Sequence, residues 1–215
     1  MTAAGRTDAG VHAIEQVASF DCSSKLQADV IRRALNALLP GEIRVMGARD
    51  AEPDFHPRYG ARSKRYVYMI ANMKDVPVFI SRYVWQVSCP LDREAMVAAA
   101  AHMTGRHDFS AFRGTGCGAK NPVRTVLSFR MEEVAEMAFL FTRLPGAYIK
   151  LSVAADAFLR HMVRNMVGTL VEVGRGRLSP ERVQGILESK DRRLAGPTAP
   201  ARGLFLEKVC YEAPR

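Results

Sequence analysis

The sequence predicts an α+β fold in which two related halves share one mainly antiparallel sheet. Three observations point there. Segments of alternating polarity and segments with a 3.6-residue apolar period are mixed along the chain, without the strict strand–helix–strand alternation of a parallel doubly wound sheet. No Pro-, Gly- or Ser-rich linker separates one half from the other. The 215 residues, 48% of them hydrophobic, suffice to bury one large core or two small ones.

The elements follow in order. "AIEQVASFD" (Ala13 to Asp21) alternates and predicts a strand with Ile14, Gln16, Ala18 and Phe20 on one face. "ADVIRRALNALLPG" places Val30, Ile31, Ala34, Leu35 and Leu38 on one helical stripe, stopped by Pro40 and Gly41. "EIRVMGARD" (Glu42 to Asp50) reads as a returning strand, followed by the turn-rich "AEPDFHPRYG". "KRYVYMIAN" and "RYVWQVS" read as strands around "MKDVPVFI", and "LDREAMVAAAAHMTG" as a helix ended by Gly105. "RTVLSFRMEEV" and "AYIKLSVAAD" are strand-like. "AFLRHMVRNMVGTLVEVGRG" (Ala157 to Gly176) predicts one long helix with Phe158, His161, Met162, Asn165 and Met166 on neighbouring turns. "SPERVQGILESK" reads as a short helix with Ser179 as N-cap and Pro180 at N1, and "GLFLEKVCY" as a closing strand.

Composition narrows the function. Thirty-one Lys and Arg against 22 Asp and Glu give a net charge of +9, which favours a polyanionic partner. "FHPRYGARSKRYVY" (Phe55 to Tyr68) interleaves Arg58, Arg62, Lys64 and Arg65 with Tyr59, Tyr66 and Tyr68, the residue types of phosphate contacts and base-stacking platforms. Cys22, Cys89, Cys117 and Cys210 form no C-x-x-C pair, and no two histidines have the i, i+4 spacing of a helical metal site. No metal and no disulfide framework are expected, and a reducing cytoplasm fits. The apolar runs are far shorter than the roughly 20 residues needed to span a bilayer, and no secretory leader is legible.

The densest cluster is "GRTDAG", Gly5 to Gly10. Glycines and an aspartate suit either a tight turn or a site at which the backbone approaches a ligand closely.

Three separated segments, "GRTDAGVHA", "FHPRYGARSKRYVY" and "FLRHMVRNMVG", resemble in order the catalytic loop, tyrosine strand and arginine helix of the bacterial tRNA pseudouridine synthase A family. "DFSAFR", "NPVRTV" and "GLFLEKV" continue the resemblance to the end of the chain. The resemblance implies the pseudouridine synthase fold, with helices on one face of the sheet and a central basic cleft. It also implies further residues ahead of the loop, so the chain reads as N-terminally truncated: residues 1–55 form a shortened first half with the loop, residues 56–90 connecting strands with the tyrosine motif, and residues 91–215 the second α/β half.

The resemblance further implies an isomerase acting on uridines 38–40 of the tRNA anticodon stem-loop, as a homodimer with tRNA as partner. Breaking N1–C1′ and joining C5 to C1′ moves no electrons to an acceptor, so no cofactor is required. By position Asp8 is the catalytic aspartate, as covalent nucleophile or as base toward the sugar. Arg164 is its basic partner or, on the bland reading, a helix-surface arginine. Tyr66 stacks on the target base or buries its ring in the sheet. Arg6 replaces the flipped base or clamps a phosphate, Arg58 serves substrate binding, and Leu204 is the pocket floor or an ordinary core leucine. His12 reads as a loop-shaping residue. A catalytically impaired RNA-binding module is the competing reading; a metal-dependent aspartate hydrolase would need a metal or phosphate loop that the sequence does not display.

Overall fold

The computed structural model describes residues 1–211. Its centre is β4 (Ser63–Ala71), a strand buried along almost its whole length. β8 (Thr142–Ala155) pairs along one edge of β4, antiparallel from Lys64 opposite Ala155 to Ala71 opposite Tyr148. Along the other edge runs β9 (Leu204–Cys210), antiparallel as far as Tyr68 opposite Leu204, with Glu207 bulged out of register. Beyond that point β5 (Trp85–Gln86) takes over, parallel to Ile70 and Ala71. β7 (Val123–Phe139) forms a long hairpin with β8, and β6 (Gly105–Asp108) pairs with the start of β7. At the opposite margin β2 (His12–Ala13) lies parallel to β9. The seven strands make one sheet that is antiparallel except for these two short parallel pairings. β1 (Thr2–Ala3) and β3 (Ala18–Ser19) form a separate two-stranded ribbon.

Alternation along β4 separates two apolar layers. Tyr66, Tyr68 and Ile70 join Ile149, Leu151 and Val153 of β8 in the main core, beneath α2 (Arg93–His102), α3 (Met162–Gly174) and α4 (Arg182–Ser189). Val67, Met69 and Ala71 face the other way, onto Ile80, Val84 and Tyr148. α2 is capped by Asp92, whose carboxylate accepts from Ala95 N at 2.9 Å. α3 is apolar nearly all round and is buried accordingly. Its Gly168 allows the backbone of Pro197 to rest directly on the helix, since a Cβ there would stand 1.7 Å from the Pro197 carbonyl oxygen. α1 (Ala28–Leu38) has the expected extent, yet none of its residues is fully buried.

Four sequence expectations need correction. The strand predicted over Ala13–Asp21 is present only as the ends β2 and β3; between them the chain bends at Ile14, whose N–H donates to Leu206 O at 2.8 Å. The strand predicted over Glu42–Asp50 is absent. Asn36 of α1 takes both backbone groups of Val45 with its amide, at 2.7 and 2.9 Å, and so replaces the ladder partner a strand would need. The long helix starts only at Met162, because His161 adopts a left-handed φ of 60° that a helix cannot contain. Finally, Ser179 and Pro180 do not cap α4: their carbonyls accept from Arg182 and Val183 in a tight turn, and regular helix begins at Arg182.

Candidate active site

The glycine cluster is a connection tied down at both ends. On entry, Ala4 N donates to Val17 O at 2.8 Å, and the buried ammonium of Lys64 donates to Ala4 O at 2.5 Å. The Gln16 amide donates to Gly5 O at 2.9 Å. On exit, a turn closes between Val11 N and Asp8 O, with Gly10 at φ 81°, and the chain passes into β2 against β9. Anchored in this way, the loop presents Asp8 to the start of α3.

There Arg164 Nη1 donates to Asp8 Oδ2 at 2.8 Å, with the side chains 15% and 29% exposed. The guanidinium is fixed from behind, because its Nε donates to Ala199 O at 2.7 Å while Ala199 N donates to Arg164 O at 3.1 Å. A part-buried guanidinium bonded on both sides fixes the orientation of the carboxylate it bonds. His161 Nε2 stands 3.3 Å from the same Oδ2. Burial, reinforced by Arg164, Arg160 and Arg192 and opposed by Asp8, holds the imidazole below its ordinary value.

Tyr66 lies on the main-core face of β4, packed edge-on against Phe158 with ring centroids 5.0 Å apart. Burial, and after it the charge of Asp8, pushes its phenol up to about 12. Tyr68, two residues on, donates its hydroxyl to Pro200 O at 2.7 Å and so braces the segment that carries Ala199. Leu204 sits opposite Tyr68 on β9, buried in the same core cluster as Tyr66 and Phe158. Arg6 and Arg58 are exposed and form no ion pair with another described residue; Arg58 lies over the Tyr59 ring at 5.6 Å. A basic cleft of about 490 Å³ opens beside the loop, lined among others by Gly10, His12, Arg82, Gln86 and Arg202. His12 itself stacks on Phe205 and contacts Arg82 O through Nε2 at 3.1 Å.

The structure therefore brings Asp8, Arg164 and Tyr66 together, sets Leu204 in the main core opposite Tyr68, and leaves Arg6 and Arg58 on the solvent side. Sequence reasoning missed His161 and Lys64 as site residues. Neither stands in a motif that marks it: position is the one local trace, Lys64 lying two residues before Tyr66 on the same β4 face and His161 three before Arg164.

A family model described as tRNA pseudouridine synthase matches residues 1–60 and 99–212. The tRNA pseudouridine synthase A of Moorella thermoacetica is 48% identical over 209 residues, covering 97% of this chain and 80% of that protein. That of Myxococcus xanthus is 46% identical over 211 residues, covering 98% and 76%. That of Thermodesulfovibrio yellowstonii is 43% identical over 208 residues, covering 97% and 82%. With a family model over residues 1–60 and 99–212 and these relatives 43–48% identical over 97–98% of its length, the chain that carries this part-buried carboxylate–guanidinium pair belongs to the tRNA pseudouridine synthase family of isomerases.

Proposed function

We propose that this chain isomerises uridine to pseudouridine at positions 38–40 of the tRNA anticodon stem-loop, as a cytoplasmic homodimer. The observation that carries the reading is the Asp8–Arg164 ion pair at 2.8 Å, held on a partly open surface beside a basic cleft. In the reaction the N1–C1′ bond breaks, C5 bonds to C1′, the C5 hydrogen leaves as a proton and N1 gains one. Nothing is oxidised, so the chemistry needs an ionised carboxylate at the sugar–base junction, a surface for the freed ring and exclusion of water.

Asp8 supplies the carboxylate. Arg164 binds Oδ2 and directs it toward α3, so that Oδ1, which no described residue bonds, meets the nucleotide. Tyr66 offers its ring to the extruded base, and Leu204 forms the apolar floor beneath it. Arg6, two residues before Asp8 and exposed, occupies the gap left in the RNA stack or takes a flanking phosphate; Arg58 takes a phosphate at the margin. The first segment, residues 1–55, brings the loop, residues 56–90 the tyrosine, and residues 91–215 the arginine. Support for the dimer comes from the tip of the β7–β8 hairpin, where Leu140 and Phe141 are exposed and Phe139 stacks on the exposed Phe79.

The test is to incubate the protein with unmodified tRNA transcript and map pseudouridine by chemical derivatisation and primer extension. Modification at 38–40 by the native chain and none by Asp8→Asn is the expected result. Modification confined to other positions refutes the site assignment.

A further inference from the structure

His161 is the unusual residue of the site. Among the described residues, three other than glycine have positive φ: Leu140 lies in a hairpin turn, Lys190 ends α4, and His161 alone opens a helix. A left-handed conformation costs a residue of this kind about 1 kcal/mol, so the surroundings must enforce it. They do so from two sides. Gly114 N donates to Arg160 O at 2.8 Å, and the Gly114 Cα lies so near the imidazole that a Cβ would be 2.7 Å from Nδ1. Asp8 Oδ2 lies on the other side, 3.3 Å from Nε2. The strain thus turns the ring away from the helix and toward the carboxylate.

We propose that His161 is a positioning residue for the isomerisation, joining Arg164 on Asp8 Oδ2 and so reserving Oδ1 for the substrate. The inference rests on the reading of Asp8 as the reacting carboxylate. At 3.3 Å the contact is long for an N–H···O bond, and it closes when the nucleotide fills the cleft, as hydrogen bonds in unliganded sites commonly do. The charged and titratable groups facing the ring are Asp8 from the loop, Arg160 and Arg164 from its own segment, and Arg192 from the turn after α4, with the Tyr66 phenol next to Asp8. Three guanidiniums and burial favour the neutral ring. Protonation would give Asp8 a second full positive partner and blunt its reactivity, so the rate falls as pH drops through the His161 transition.

The experiment measures single-turnover rate on tRNA transcript from about pH 5 to 8, with tRNA affinity and thermal melting in parallel. His161→Gln carries a non-titrating amide long enough to reach Oδ2; it is expected within about tenfold of wild type at the alkaline end, with the acid limb displaced toward the carboxylate range. His161→Ala loses on the order of a hundredfold in kcat with KM unchanged. His161→Asn suits the left-handed position but is too short, so it melts like wild type and is as slow as the alanine variant. A wild-type rate in His161→Asn, or an unmoved acid limb in His161→Gln, overturns the proposal. Asp8→Asn run alongside separates the two readings: if it turns over, the role of Asp8 itself is wrong, whereas an inactive Asp8→Asn with an unmoved limb in His161→Gln refutes only His161.

Discussion

At the scale of single residues, the site depends on a planar cation held at two edges. Arg164 gives Nη1 to Asp8 and Nε to Ala199 O, a fork that an ammonium cannot reproduce. Arg164→Lys is therefore expected to lose on the order of a hundredfold in kcat while tRNA affinity stays near wild type; a wild-type rate would make the arginine peripheral. With Asp8 as the proposed reacting carboxylate, Asp8→Asn removes one of its oxygens but no phosphate contact, so isomerisation is expected to fall to background with binding preserved. Asp8, Arg164 and Tyr66 were legible because each sits in a recognisable run of neighbours. His161 and Lys64 were not, for a physical reason. Gly114, packed on the His161 ring, lies 47 positions earlier, and Ala4, whose carbonyl takes the Lys64 ammonium, lies 60 positions away; neither contact leaves a local pattern.

At the scale of elements, periodicity found α1, α2, β4, β7, β8 and β9, whose apolar faces are packed against partners or, for α1, at least strongly patterned. It overstated the strands at Ala13–Asp21 and Glu42–Asp50, since alternation records a possible strand but not whether an edge is there to pair with it. The contact between α3 and the 195–199 segment was invisible for the same reason, although it orients Arg164. Gly168→Ala would place a Cβ 1.7 Å from Pro197 O, and is expected to cost about 3 kcal/mol and to lower kcat by displacing Ala199; unchanged denaturant midpoint and rate would refute this. β4 gives a pH prediction. The Tyr66 phenol titrates near 10 in the unfolded chain and at about 12 in the fold. Between those values the unfolded state binds fewer protons, so stability falls as pH rises through the window. Tyr66→Phe removes this contribution, and its stability should fall less steeply than that of wild type over the same range, as read from denaturant curves.

At the scale of the whole molecule, a net charge of +9 could be a diffuse solvated surface or a converging one, and composition alone does not distinguish them. The structure places Arg82, Arg202 and His12 around the cleft beside the loop, while Arg6 and Arg58 stand exposed without carboxylate partners among the described residues. Other arginines are already committed: Arg32 to Asp29, Arg65 to Glu207, and Arg175 and Arg177 to Glu172. Arg82, Arg202 and His12 give the cleft beside the loop a positive lining, where a polyanion would release its counterions on docking. tRNA affinity is accordingly expected to fall linearly with log salt concentration, with a slope corresponding to several phosphates. Replacing Arg58 by Ala should reduce that slope by about one without changing single-turnover kcat, because a phosphate contact at the margin positions the RNA and takes no part in the chemistry. Replacing Arg33, which lies on α1 and pairs with Asp29 at 3.3 Å, should leave the slope as it is. Filter-binding titrations of the three proteins across a salt series measure the difference; equal slopes for all three would mean that the RNA does not pass over Arg58.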